Sequence, residues 1–345
     1  MKKSLLALAV LAAAGAANAQ TTVYGILDYA AVNDDTGAAS ANTYFGQSGS
    51  ILSTSRLGFK GSEDLGGGLK ASFAIESATG DGTDGSPQTG TAFSTSRGAW
   101  VELSGSFGAV RLGQTDLNTT NIDDNVSQFG NFSAAPTDIG SAAALGDTVD
   151  ALGNDGPNSF VYTSPSFAGV TVELGSAASN SGADNAANQF GMVVTYRGNG
   201  VLAQVGRTTQ DGLSVAKRSL TQFGASYNFG MLSAGINIGS ADIMSTSDSK
   251  IKWSTISVKA PIGNGFAVGG YYGKYKSDIA ANSGAKSIGL IATKDLSKRT
   301  TAYVAYASVT NESAGTWSVR GTNLTKSPAA GNDPSSAIIG VRHSF

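Results

Sequence analysis

The sequence predicts an all-β protein, a 16-stranded antiparallel transmembrane β-barrel, on three observations. Apolar and polar residues alternate with the period of a strand along nearly the whole chain. The connections alternate between short turns and long polar segments. The pattern also continues to the last residue: in "AIIGVRHSF" (337–345), Ala337, Ile339, Val341 and Phe345 oppose Gly340, Arg342 and Ser344. Chain ends usually fray, so a half-apolar strand at the terminal carboxylate suits a barrel that closes its last strand on its first.

The first element is an export signal. Lys2 and Lys3 form a positive head, Leu5 to Ala17 is apolar, and Ala17-Asn18-Ala19 supplies a small-x-small cleavage site. A membrane-anchoring helix needs about 20 apolar residues, more than this stretch offers. Residues 1–19 are therefore expected to be removed, leaving 20–345 as one barrel domain.

The strands follow at about 21–32, 53–62, 69–78, 95–104, 107–114, 158–164, 168–176, 188–198, 200–209, 218–229, 231–241, 250–260, 265–276, 284–294, 299–309 and 335–345. In "QFGMVVTYR", for example, Phe190, Met192, Val194 and Tyr196 oppose Gln189, Gly191, Thr195 and Arg197. Short turns include "RGNG" (197–200), "NFGM" (228–231) and "PIGNG" (261–265). Long connections include 33–52, 79–94, 115–157 and 310–334. Sixteen strands then have eight long loops and seven short turns, with both termini at the short-turn end. All seven prolines (87, 136, 157, 165, 261, 328 and 334) fall in connections or at strand starts, where no ladder hydrogen bond is lost.

Composition decides which way the faces point. There are 46 glycines, only 14% charged residues and no cysteine, which leaves no disulfide framework or thiolate metal site to propose. Without Lys2 and Lys3 the balance is 21 Lys+Arg against 25 Asp+Glu, about −4, unlike the basic surface of a nucleic-acid binder. A soluble sandwich would carry many charges on its outer faces, whereas the polar faces here are Gly, Ser, Thr and Asn. Apolar residues facing lipid around a water-filled lumen fit better, with Tyr196, Phe229, Tyr272 and Phe345 as interfacial aromatics. Closure removes the unpaired edge that hydrocarbon does not tolerate.

The stretches "SRLGFKGSEDLGGGLKASFAIES" (55–77), "SRGAWVELSGSFGAVRLGQ" (96–114), "NSFVYTSPSFAGV" (158–170) and "IIGVRHSF" (338–345) resemble the Gram-negative general porins, especially those of beta-proteobacteria. The resemblance spans the mature chain. It implies a homotrimer in the outer membrane, in contact with lipid and lipopolysaccharide and inserted by the barrel-assembly machinery. Small ions and hydrophilic solutes would cross it passively, with no cofactor. It also implies that the third long loop, 115–157, folds into the lumen as a constriction, with wall arginines facing loop acids. Arg56 matches one wall arginine, and alternation sets Arg56 and Lys60 opposite Leu57 and Phe59. Arg97 matches a second but shares parity with Ala99, Val101 and Leu103. Either those residues face inward, against an outward Trp100, or Gly98 carries a bulge. Pro157 stands where a third arginine is common in the family, and Arg111 is a candidate substitute. Loop 115–157 holds seven aspartates and no Lys or Arg; Asp123 and Asp124, with Asp116, are the candidates for the aperture. Carboxylates there favour cations and the arginines favour anions, so the sign of selectivity stays open. Val341 and Phe345 mark the C-terminal assembly strand.

Little else carries chemistry. His343 alone supplies neither a triad nor a ligand cluster, so no enzyme is expected. "GNGVLA" (198–203) opens a strand rather than a helix, and "DGTDG" (81–85) lacks the Glu an EF-hand needs, since position twelve is Ala92. The alternatives to a general diffusion channel are a substrate-specific channel and, further off, a structural or adhesive barrel with a filled lumen.

Overall fold

The computed structural model describes residues 21–38, 43–49, 51–79, 97–117, 119, 121–132, 156–178, 188–211, 217–244, 248–319 and 328–345. The signal segment, Asp138, Asp147, Asp150 and Asp155 lie outside them.

The strands are β1 Thr22–Asp35, β2 Thr43–Gly49, β3 Arg56–Gly66, β4 Leu69–Ala78, β5 Gly98–Gly105 and β6 Gly108–Thr115. After a short helix, α1 Ile122–Val126, come β7 Gly156–Thr163, β8 Val170–Ala178, β9 Asn188–Gly198, β10 Val201–Asp211, β11 Arg218–Asn228 and β12 Ser233–Met244. The last are β13 Asp248–Gly263, β14 Phe266–Ser277, β15 Ala285–Asp295, β16 Thr300–Asn311 and β17 Ser335–Ser344. Every pairing is antiparallel and sequential, and β17 pairs with β1 to close the ring. Seventeen strands fill sixteen positions, because β2 and β3 share one: β2 pairs with Tyr29–Asp35 of β1 and β3 with Thr22–Ile26.

That split corrects the expectation of a loop over 33–52. β1 runs on to Asp35, and 43–49 return as strand, while 51–55 are not strand. The break has a visible cause. Asp28 of β1 is fully buried, and its Oδ2 accepts the Leu52 and Ser53 amides at 2.6 and 2.9 Å. Its Oδ1 takes the Tyr303 hydroxyl at 2.6 Å. A side chain thus satisfies backbone donors that a ladder would otherwise pair. The strands β12 and β13 also run longer than expected, leaving three residues, 245–247, between them.

Closure uses the chain end as expected. Gly25 and Phe345 exchange amide-to-carbonyl bonds of 3.1 and 3.0 Å, and Val341 pairs with Tyr29. A Cβ on Gly25 would meet the Phe345 ring at 2.4 Å, so the ring covers the glycine. The tight turns Asn199-Gly200 and Asn264-Gly265 hold two successive positive φ angles (52° and 78°; 51° and 75°), the geometry that hairpin twist favours. Pro261 falls inside β13, beside a register shift, rather than in the turn.

The two faces of the sheet differ in chemistry. One exposes large apolar side chains, among them Val101, Leu112, Leu290 and Ile339 at half exposure or more. The other is small and polar around part of the ring. Along β11–β17 and β1 it instead carries a buried cluster that includes Trp253, Tyr271, Tyr275, Tyr303 and Trp317. Alternation alone predicts small residues bordering water over the whole of that face; on this side it is packed instead.

Candidate functional site

A cationic cluster sits on the small-and-polar face where β1, β3, β4 and β5 meet. Arg56 opens β3, and its Nη1 lies 3.4 Å from Glu76 Oε1 on β4. The Nε of Arg97 reaches the same oxygen at 2.7 Å. The hydroxyl of Tyr24 donates to Glu76 Oε2 at 2.8 Å, and the Lys60 ammonium stands 4.9 Å from the centre of the Tyr24 ring. Two guanidinium groups therefore share one carboxylate, leaving net positive charge that is partly open to solvent. Arg56 Nε also donates to the Thr54 carbonyl at 3.0 Å, which ties it to the break in its own strand.

The phase of Arg97 is settled by Gly98, whose φ of 152° few other residues adopt. Beyond it Val101 and Leu103 are exposed on the apolar face, while Arg97 reaches Glu76 on the opposite one. Of the two alternatives, inward Ala99, Val101 and Leu103 are ruled out; the phase changes at Gly98 through its φ, while the pairing with Glu76 stays in register. Arg111 on β6 lies on the same face as Glu102 of β5 and donates to it at 2.8 and 3.0 Å. Its guanidinium carbon is 4.1 Å from the centre of the Trp100 ring, so Trp100 shares that face too.

The described part of the long connection after β6 is seated on the same face. Leu117 would clash with a side chain at Gly175, Ile122 with one at Gly206 or Gly224, and the Val126 carbonyl with one at Gly235. Phe129 stands likewise over Gly269, and Phe132 meets Tyr271 edge-on with 5.2 Å between ring centres. Polar contacts fix the path: Thr208 donates to Thr119 Oγ1 at 2.6 Å and Gln222 to the Thr119 carbonyl at 3.0 Å. Asn131 then donates its amide to the Leu52 carbonyl (3.1 Å) and its side-chain NH₂ to Thr54 (3.2 Å). The segment thus runs from β6 past β8–β14 to the break beside Arg56.

The predicted residues divide accordingly. Arg56, Lys60 and Arg97 come together; Arg111 forms a separate pair with Glu102 nearby. Asp116 accepts the Asn121 side-chain amide at 3.0 Å, before the helix, while Asp123 is buried and Asp124 exposed in the first turn of α1. The acid that Arg56 and Arg97 share is Glu76, from the wall and not from the loop. Sequence reading missed Glu76, Glu102 and Tyr24, because which strand residues oppose each other depends on register. His343 Nδ1 lies 2.9 Å from Thr300 Oγ1 at the short-turn end. Among the described residues no group of three or more His, Asp or Glu is placed to hold a metal ion.

The family model described as Gram-negative porin matches residues 5–314. The chain is 35% identical to outer membrane porin protein 32 of Delftia acidovorans and 28% identical to major outer membrane protein P.IB of a Neisseria meningitidis serogroup B strain, each over the full length of both proteins. Among solved structures, the anion-selective porin from Comamonas acidovorans superposes with a TM-score of 0.82 at 27% identity, covering 95% of this chain and all of that one. OmpT of Vibrio cholerae in its trimer form shares the fold at a TM-score of 0.64 and 14% identity, covering 94% and 99%.

Proposed function

The chain belongs to the Gram-negative porin family, and from that premise we propose that it forms a water-filled outer-membrane channel for passive diffusion of small hydrophilic solutes and ions. The observation that carries this is the closed sheet with two chemically opposite faces and a cationic cluster on the small-and-polar one. The apolar face meets lipid and the other borders water.

The loop 115–157 lies inside the barrel and narrows it; the row of glycines from Gly175 to Gly269 supports this by leaving room for a chain against the wall. Arg56, Lys60, Arg97 and Arg111 line one side of the constriction, and Asp116, Asp123 and Asp124 belong to the loop opposite. Four cations against Glu76 and Glu102 leave this cluster of six side chains at net +2, by subtraction. With the anion-selective porin among its relatives, this supports a preference for anions. The buried aromatic cluster is packed on itself and on the loop, so it offers no open file of rings to a specific solute. The protein acts as a homotrimer after removal of residues 1–19. The strand carrying Val341 and Phe345 is what the barrel-assembly machinery handles, and lipid and lipopolysaccharide surround the rim.

Planar-bilayer recording tests the reading. Wild type gives an ohmic pore and a reversal potential of anion-preferring sign in a KCl gradient. An anion passing ~5 Å from one unit positive charge in water gains ~0.8 kcal/mol and a cation loses as much, so Arg56→Ala shifts each permeability about fourfold in opposite directions and lowers the anion-to-cation ratio about sixteenfold. An unchanged ratio removes Arg56 from the constriction; silent membranes remove the channel.

A further inference from the structure

The exposed face of β13–β15 changes chemistry within one rung of the sheet. Toward the long-loop end, Ile256 on β13 is followed by Ser254 and Lys252, Tyr272 on β14 by Lys274 and Lys276, and Ile288 on β15 by Lys286. The register sets Lys252 directly opposite Lys276 and Lys274 directly opposite Lys286. Ser254 pairs with Lys274, so the two lysine rows occupy neighbouring rungs of one face. Directly opposed side chains start about 5 Å apart, and like charges there are destabilising. All four lysines are exposed, and among the described residues no carboxylate pairs with any of them. Lys250, one step further along, is already matched by Asp242 at 3.6 Å. On the same strands' exposed face at the short-turn end stands Lys294, and its ammonium is engaged by the Asn264 carbonyl and the Phe266 ring.

The sheet thus maintains a repulsive quartet at this rim, bordering aliphatic surface on Ile256, Ile288 and Leu290. We infer that Lys252, Lys274, Lys276 and Lys286 bind the phosphate-bearing headgroup of an outer-leaflet lipid, whose acyl chains lie along that aliphatic surface. The charge is complementary, and flexible lysine stems let the ammoniums follow a headgroup while their methylenes stay on the apolar band. The adjoining apolar surface selects a lipid over free phosphate. The inference rests on the outer-membrane reading, which places the long-loop end outside.

The test is native mass spectrometry of the full barrel in zwitterionic detergent, titrated with bisphosphorylated lipid A. Wild type holds lipid A adducts, holds dephosphorylated lipid A far more weakly, and keeps its adducts in millimolar inorganic phosphate. Replacing all four lysines by glutamine weakens lipid A binding at least about tenfold, while Lys294→Gln leaves it unchanged. A Lys274→Gln, Lys286→Gln double variant, expected to show an intermediate loss, is measured beside it. Equal binding by the lysine variants and wild type overturns the inference, as does equal binding of the dephosphorylated lipid. Displacement by inorganic phosphate, or an equal loss in Lys294→Gln, overturns it as well. Bilayer conductance of the same variants separates the two readings: open pores with undiminished lipid binding sink this site and leave the channel standing.

Discussion

Glu76 sets the charge of the cationic cluster. It holds two guanidinium groups and a phenol, yet neutralises only one positive charge. Glu76→Gln keeps a hydrogen-bonding side chain of the same shape and frees one unit of positive charge. The anion-to-cation permeability ratio from reversal potentials is expected to rise, by about the sixteenfold that Arg56→Ala removes. An unchanged ratio would mean the cluster faces away from the ion path. At this scale the sequence was half legible. Arg56 and Lys60 follow from alternation against Leu57 and Phe59. Arg97 needed Gly98, whose unusual φ shifts the phase by one residue. Glu76 was hidden because a sequence shows which face a residue takes and not which residue stands across from it. Among the described residues the acid that the arginines share comes from the wall, so counting loop acids gives no sign of selectivity.

The glycines are an element-scale feature. At Gly206, Gly224 and Gly235 a Cβ would lie 2.8, 2.7 and 1.9 Å from atoms of the long loop, and at Gly235 the obstacle is backbone. The glycine-rich face thus leaves room for the described part of this loop, a close fit that alternation alone does not reveal. Gly224→Val is expected to lift α1 from β11 and change single-channel conductance by a measurable step. The barrel itself stays folded, as heat-modifiable migration on gels reports. Unchanged conductance would mean the loop does not bound the pore. Elements rich in alternation were readable: the terminal strand and the turns around Asn199 and Asn264 are where the pattern puts them. The β2 strand was not, because "TYFGQSG" (43–49) sits between polar residues, and the break after it depends on Asp28, distant in sequence. Nor did any local signal announce that Trp317, in a long connection, donates its indole N–H to the Ser283 carbonyl at 2.8 Å and packs against Tyr275.

At the scale of the whole molecule, closure joins the first and last strands over ten residue pairs, from Ile26–Ser344 to Asp35–Ser335. A sheet without an edge leaves each strand's backbone paired on both sides, which is what hydrocarbon demands. The apolar run to Phe345 was the clearest whole-chain signal in the sequence, since only closure explains it. The filled aromatic side of the barrel was the least clear: Tyr271, Tyr275 and Trp253 read as strand residues of either face until register and the seated loop are known. The central claim, water on one face and lipid on the other, is tested most directly within β3 of this cysteine-free chain. Single-channel current is recorded for Lys60→Cys and Phe59→Cys while a bulky, membrane-impermeant maleimide is added. A stepwise loss of current at position 60 with none at 59 is the predicted result; block at 59, or at neither position, contradicts the account.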